Sequence, residues 1–167
     1  MKKRILKVAA AASMAIVGLA VLTQVWASAQ VGEVNDQGLV GSWDIAVTPR
    51  NCETGLPAPF PPPFSAVQTY NQGGTMTASV LGAPGVISLD AHGIWSHAKG
   101  RNKYVTAFRV LKFNPDGTYA GKDVVRDSIS LGLDGNSYTS TGTVDIFDAS
   151  GNLIVTGCAT TTATRFE

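Results

Sequence analysis

Two residue pairs near the ends of the chain constrain its fold most strongly. The residue numbers of Trp43 and Arg165 add up to 208, and those of Cys52 and Cys158 add up to 210. Nearly equal totals are typical of one antiparallel strand pair, because a step forward along one strand is matched by a step back along its partner. The first and last strands are therefore predicted to lie side by side, which closes the sheet into a barrel.

The first 29 residues are predicted to be a secretory signal peptide, and residues 30–167 to be the barrel domain. A basic segment, Lys2 to Lys7, precedes an apolar run from about Val8 to Leu22, and Ala27-Ser28-Ala29 follows it. This order is typical of a signal peptide that is cleaved before Gln30. The alternative is a retained membrane anchor, for which the apolar run is short. We expect the mature protein to be secreted or periplasmic, with no stable membrane span.

The composition of residues 30–167 excludes several classes of function. These 138 residues suit a single domain, and they carry nine Lys and Arg against twelve Asp and Glu, a net charge of −3. That charge argues against nucleic acid as a partner. There is no Gly-x-Ser-x-Gly elbow, phosphate loop or Cys-x-x-Cys motif, and no cofactor is expected. In an oxidising compartment Cys52 and Cys158 are predicted to form a disulfide, the alternative being two buried free thiols.

The remaining pattern predicts an all-β chain. Short runs rich in Thr, Val, Tyr and Ile alternate with turn residues such as Gly73-Gly74, Pro115-Asp116-Gly117 and Asp134-Gly135. Eight consecutive hairpin strands, and hence an up-and-down antiparallel barrel, are predicted. They cover residues 39–49, 64–72, 75–82, 93–99, 103–114, 118–132, 136–148 and 153–166.

The turn positions also predict which residues share the inner face. They place Arg109 opposite Asp123 and Trp95 opposite Ala107, and a single bulge would shift such a register by one residue. The predicted inward residues are Trp43, Ile45, Val47, Val67, Met76, Val80, Trp95, Val105, Leu111, Phe113, Tyr119, Val125, Ile129, Tyr138, Val144, Ile146 and Val155. Small inward residues, such as Gly142, Gly157 and Ala159, favour a partly hollow interior, whereas the aromatic side chains could instead fill it.

Gly41-Ser42-Trp43 at the start of the first strand and Arg165 in the last one form a pattern that resembles the lipocalins and related calycin barrels. This resemblance implies that Trp43 and Arg165 close one end of an eight-stranded barrel and are structural. It also implies that the loop from Pro49 to Pro63 is a lid, with Phe60 and Phe64 over the open mouth. Two departures from the family are the absence of a predicted helix after the eighth strand and the disulfide between the first and last strands.

Charged and aromatic residues predicted on the inner face are the candidate ligand-binding residues. Charged groups inside a barrel must pair with each other or bind something. Arg109 would orient an anionic or carbonyl group of a ligand, and Asp127 or His97 would be a general acid or base if the protein is an enzyme. The structural alternative is an Arg109–Asp123 ion pair that only fixes the register. The predicted set is Arg109, Asp123, Asp127, Tyr119, Tyr138, Trp95 and His97.

The sequence therefore predicts a barrel that binds a small apolar molecule with one polar end. Two alternatives stay open: a barrel enzyme of the isomerase or cyclase type, resembling allene oxide cyclase or dirigent proteins, and a filled barrel with a structural role. His92 and His97 are five residues apart and fall on opposite faces of a regular strand, so no metal site is expected. The sequence makes no prediction about the oligomeric state.

Overall fold

The computed structural model describes residues 38–59, 61–80 and 86–166, so the predicted signal peptide lies outside the described residues. These residues form strands and connecting turns. In chain order the strands are β1 (Gly41–Arg50), β2 (Phe64–Tyr70), β3 (Thr75–Val80), β4 (Ile87–Ser88), β5 (Ala91–His97), β6 (Lys103–Phe113), β7 (Tyr119–Leu131), β8 (Ser137–Phe147) and β9 (Leu153–Arg165).

The sheet closes on itself as an antiparallel barrel of eight strands. β1 pairs with both β2 and β9, and the pairing of β6 with β7 completes the ring. The two-residue strand β4 and the longer β5 both pair with β6, at Ile87 opposite Phe113 and at His92 opposite Arg109. Together they make one barrel strand with an interruption at Leu89 and Asp90, so the predicted eight-stranded meander is confirmed. This architecture is consistent with a calycin-like fold.

The predicted closure of the barrel is confirmed residue by residue. Trp43 lies opposite Arg165, and Arg50, the last residue of β1, lies opposite Cys158. Cys52 forms a disulfide with Cys158, with the two Cα atoms 5.2 Å apart. Because cytosolic thiols are normally kept reduced, this bond indicates an oxidising environment outside the cytosol.

One end of the barrel is sealed by Arg165 and Trp43, and we call it the closed end. The guanidinium lies 4.3 Å from the centre of the Trp43 ring. It also donates hydrogen bonds to the carbonyl oxygens of Gly38, Val40 and Gly135. The indole nitrogen of Trp43 donates to the Leu39 carbonyl at 2.9 Å. The predicted contact between Trp43 and Arg165 is thus confirmed, and it holds the segment before β1 across the barrel.

The hairpin registers of the last three strands agree with prediction, but two earlier ones differ by one residue. The Asn71 amide donates to the Thr75 carbonyl, so the first loop is Gln72-Gly73-Gly74 instead of Gly73-Gly74 alone. The Ala98 amide donates to the Lys103 carbonyl, which makes the next loop four residues long, with Asn102 at φ 58°. One more loop residue in each case moves the partner strand by one position.

A bulge at the start of β7 produces the third shift. Phe113 lies opposite Tyr119 as predicted, but Lys112 then lies opposite Gly121, which leaves Ala120 as an extra residue. Gly121 has a φ of 125°, which favours glycine because a side chain is strained there. The predicted pairing of Arg109 with Asp123 is therefore wrong, since Arg109 lies opposite Val124 and Val110 lies opposite Asp123.

These shifts turn the side chains of β2 and β6 to the opposite face from the prediction. On β6, Val105 and Leu111 are each 40% exposed, and on β2 Val67 is 44% exposed, so their predicted inward position is wrong. The buried residues of these strands are Ala66, Gln68, Tyr70, Tyr104, Thr106, Phe108 and Val110. The inner face consequently contains more aromatic and polar groups than the sequence predicts.

Replacing Arg165 by Leu should lower the free energy of unfolding by about 2–4 kcal/mol, because four hydrogen bonds and a cation–π contact are lost. The free energy of unfolding of Arg165→Lys should lie between those of Arg165→Leu and the wild type, since lysine keeps the charge but not the planar fork of the guanidinium. Urea denaturation measures both. The control is Arg109→Leu, an exposed position where a change within about 0.5 kcal/mol is expected. Equal losses at positions 109 and 165 would contradict the structural role of Arg165.

Replacing both Cys52 and Cys158 by Ser removes the disulfide and should lower the free energy of unfolding by up to about 4–5 kcal/mol, because a long loop is released in the unfolded chain. The two cysteines are 106 residues apart. Denaturation of the variant beside the oxidised protein measures the difference. A loss below about 1 kcal/mol would mean that the unfolded chain is already constrained by other contacts.

Candidate functional site

The barrel interior contains an unusual number of polar side chains. Gln68, Thr106, Ser140 and Thr161 are buried on four different strands, although Thr and Gln side chains are mostly exposed in proteins. Their positions alternate with outward residues along each strand, so all four face the same interior. A buried polar group must be hydrogen-bonded or reach solvent or a ligand, and the partners of this set therefore indicate what the interior can do.

Two tyrosine hydroxyls converge on the side chain of Gln68. The hydroxyl of Tyr70 donates to Gln68 Oε1 at 2.8 Å, and that of Tyr138 donates to the same oxygen at 2.7 Å. Burial raises the pKa of both tyrosines well above the ordinary value of 10. Both rings are thus neutral hydrogen-bond donors at physiological pH. They pack with Trp43 and Trp95 and fill the closed half of the barrel.

Asp127 lies beside this cluster on the inner face of β7. It is opposite Thr106 on β6 and Gly142 on β8. A Cβ atom added to Gly142 would collide with Asp127 Oδ1, so the carboxylate occupies the space that a side chain at position 142 would take. Among the residues that the structure describes, no side chain or amide donates a hydrogen bond to this carboxylate. Burial raises the pKa of Asp127 from 3.8 to about 6.

Thr106 shares this environment. Its hydroxyl oxygen is buried and has no hydrogen-bond partner within the described part of the chain. It stands directly across from Asp127 in the β6–β7 ladder. Two polar side chains that face each other from adjacent strands and are both unsatisfied leave hydrogen-bonding capacity for a third molecule.

The half of the barrel beyond Asp127 is less tightly filled, and we call its far end the open end. Val144, Ile146, Gly157 and Ala159 face inward there, yet all four are only half-buried. Inward residues of the closed half, such as Trp43, are almost inaccessible. Asp127 itself is partly exposed although it faces inward. Asp127 is therefore less completely shielded from solvent than the residues of the closed half.

A second charged group lies nearer the open end. Lys112 Nζ is 2.5 Å from Asp123 Oδ1, and the two side chains are 16% and 22% exposed. Asp123 is opposite Val110 and Ile146, both inward residues, so the pair lies inside the mouth. Between Asp123 and Asp127 the inner face of β7 presents Val125, which packs against the core.

The structure brings together four of the seven predicted ligand-binding residues. Asp123, Asp127, Tyr138 and Trp95 face the interior, with Trp95 opposite Thr106. Asp123 pairs with Lys112 in place of Arg109.

The other three predicted residues lie away from Asp127. Arg109 is exposed on the outer face of β6, opposite His92 and Val124. Tyr119 is 40% exposed at the rim, where its ring meets that of Phe113. His97 is exposed near the closed end, with its ring 4.6 Å from that of Tyr104. The position of Arg109 removes it as the group that orients a ligand inside the barrel.

Sequence reasoning missed Gln68, Tyr70, Thr106 and Lys112. All four lie on β2 or β6, the strands whose faces were exchanged by the register shifts. Treating Gln72-Gly73-Gly74 as a three-residue loop would have placed Gln68 and Tyr70 inside, since such loops with glycine at the last position are common.

The first residues of the predicted lid lie against the outer face of the barrel. Asn51, Cys52 and Gly55 border a cavity of about 450 Å³ on the outer face of β7, β8 and β9. Another cavity, of about 720 Å³, also lies on the outer surface, beside Ala46 and Val67. Asp127 borders neither. Phe60 lies outside the described residues, and Phe64 is half-buried at the start of β2.

The fold and the site define a disulfide-closed antiparallel β-barrel with several polar side chains on its inner face. Comparison of the chain with protein-family models, curated proteins and solved structures gives no match. Within the described residues there is no helix with the length and hydropathy that crossing a membrane requires. The same residues contain no group of three or more His, Cys, Asp or Glu side chains that could hold a metal ion.

Asp127 should make the stability of the protein fall as the pH rises. Its folded-state pKa, about 6, is above the ordinary value of 3.8, so the folded chain holds this proton more tightly than the unfolded chain does. The resulting stabilisation is fully present below about pH 4 and is lost as the pH rises through 6, with a limit of about 3 kcal/mol. Asp127→Asn should thus gain stability over the wild type between pH 4 and 8. Urea denaturation across that range tests this, and a difference that is independent of pH would contradict it.

Proposed function

We propose that the protein binds a small, mainly apolar molecule that enters through the open end and places a hydrogen-bond-donating group at Asp127. The observation that carries this proposal is the Asp127 carboxylate, which faces the interior, has no hydrogen-bond donor among the described residues and is still partly accessible. A desolvated carboxylate of this kind is costly, so its retention favours a role in binding or chemistry over packing.

The neighbouring groups indicate the polarity of the ligand. Asp127 accepts hydrogen bonds when ionised, and the Thr106 hydroxyl opposite it is also unsatisfied. A hydroxyl or an amine on the ligand would satisfy both. The ligand would therefore carry a hydrogen-bond donor in place of the anionic or carbonyl group that the sequence predicts, because Arg109, the expected partner of such a group, is on the outer face.

The wall of the open half suits the apolar part of such a molecule. Val125, Val144 and Ile146 line it from β7 and β8. Binding sites for small molecules commonly combine an apolar lining with a few placed polar groups. The resemblance of Gly41-Ser42-Trp43 and Arg165 to the lipocalin pattern supports the same proposal, and the disulfide supports export to the periplasm or beyond the cell.

The test uses three probes that differ only in their polar end: n-octylamine, n-octanol and octanoate. Isothermal titration measures the affinity of each probe, and the Asp127→Asn variant reports whether the probe binds inside the barrel. At pH 8 the amine should bind most tightly, the alcohol next and the carboxylate most weakly, because Asp127 is then ionised. Asp127→Asn should weaken amine binding by about ten-fold or more, in line with loss of a hydrogen bond to a charged group.

Asp44→Asn is the matched control, since Asp44 is exposed on the outer face of β1. It should leave the three affinities unchanged. Tightest binding of octanoate, or equal affinities for Asp127→Asn and the wild type, would refute the proposed polarity. Absence of binding for all three probes would favour the filled barrel with a structural role.

An isomerase or cyclase of the allene oxide cyclase or dirigent type is the second candidate. The raised pKa of Asp127 favours it, because a carboxyl group that titrates near pH 6 can exchange protons with a substrate near neutral pH. Native mass spectrometry of protein purified from its own host would identify a bound molecule. Turnover of that molecule by the wild type, with binding but no turnover by Asp127→Asn, would distinguish the enzyme from the binding protein.

A further inference from the structure

A groove on the outer surface of the barrel is separate from the interior site. The turn after β1 and the outer faces of β7, β8 and β9 border an open groove of about 450 Å³. Hydroxyl groups cover its floor, contributed by Ser128, Thr141, Thr143 and Thr160. None of the described residues that border it is Asp or Glu.

Arg50 supplies positive charge to this groove. Its Nε donates a hydrogen bond to Thr160 Oγ1 at 2.9 Å, which draws the side chain from β1 over β9. The two terminal nitrogens of the guanidinium have no hydrogen-bond partner among the described residues. Arg50 is half-buried. Arg50 borders the groove, and a guanidinium has the planar fork that binds a carboxylate or sulfate through two hydrogen bonds.

A second arginine lies at the far edge of the groove. Arg126, Thr143, Cys158 and Arg50 occupy one continuous row across four adjacent strands. Arg126 Nη1 is 2.7 Å from Asp145 Oδ2, and its side chain is 56% exposed. Asp145 also accepts a hydrogen bond from Thr156. Arg126 is thus already paired with a carboxylate, whereas the only hydrogen-bond partner of the Arg50 guanidinium among the described residues is the Thr160 hydroxyl.

The wall of the groove is held in a fixed conformation. The disulfide ties Cys52 to β9. Asn51 Oδ1 accepts hydrogen bonds from the amides of Glu53 and Thr54, and the Asn51 amide donates to the Leu56 carbonyl. A site whose wall is already ordered loses little conformational entropy when a ligand binds.

We propose that this groove binds the oxyanion of a small polyhydroxylated molecule, in the chemical class of an acidic sugar. Arg50 holds the carboxylate or sulfate, and the Ser and Thr hydroxyls of the floor bond to the hydroxyl groups of the ligand. The volume falls within the usual range of small-molecule sites, about 300–1,000 Å³. The groove faces away from the barrel interior, so this site does not depend on the function proposed for Asp127.

Isothermal titration with sodium glucuronate, sodium sulfate and glucose tests the proposal on the whole mature protein. Glucuronate should bind most tightly, because it has both the oxyanion and the hydroxyl groups. Arg50→Gln should weaken glucuronate binding by at least about ten-fold, as expected for loss of a bidentate ion pair. Arg109→Gln removes an exposed arginine from another part of the surface, and it should bind glucuronate like the wild type.

A second variant guards against an indirect effect of Arg50→Gln on folding. Thr141→Tyr fills the floor of the groove from an exposed position and leaves Arg50 in place. It should also abolish glucuronate binding while the midpoint of its urea denaturation stays close to that of the wild type. Unchanged glucuronate affinity in either Arg50→Gln or Thr141→Tyr would overturn the proposal, as would no binding to the wild type. Equal affinities for sulfate and glucuronate would refute the acidic-sugar assignment.

Discussion

The pairing of β1 with β9 is the contact on which the remaining structure depends, because without it the sheet would have two unpaired edges and no enclosed interior. Trp43 and Arg165 lie at one end of that seam and the disulfide lies at the other. The guanidinium of Arg165 also donates hydrogen bonds to the carbonyls of Gly38 and Gly135. These bonds hold the segment before β1 and the β7–β8 turn at the same end of the barrel. Closure therefore determines which side chains are shielded from water at all.

Closure alone does not determine which chemistry is shielded, because that depends on the register of each hairpin. The pairing of Trp43 with Arg165 could be predicted because residue pairs at the two ends of the chain have nearly equal totals, and that of Val125 with Val144 because Asp134-Gly135 sets the register of its hairpin. The inward faces of β2 and β6 could not be predicted, because hairpin loops of two, three and four residues that contain glycine or asparagine look alike in a sequence. A one-residue difference exchanged Arg109 for Phe108 and Val110 inside the barrel.

The candidate site was therefore predicted in part. Asp123 and Asp127 lie on β7. The bulge at Ala120 does not change which residues of this strand face the interior beyond it, so both carboxylates face inward as predicted. The predicted partners of these two carboxylates were wrong, because the partners lie on β6 and the opposite face of that strand points inward. Lys112 replaces Arg109 as the partner of Asp123, and the residue across from Asp127 is Thr106. The bulge follows from the positive φ of Gly121, which the residue type permits but does not require.

Gly142 affects the position and the proton affinity of Asp127 on the neighbouring strand. The carboxylate of Asp127 rests where a side chain on β8 would otherwise be, so even a methyl group at that position would compete with it for the same volume. Steric exclusion would then push the acid toward the open end and into water, where its proton affinity would return toward that of an ordinary aspartate. An absent side chain on one strand thus sets the acidity of a group on the next.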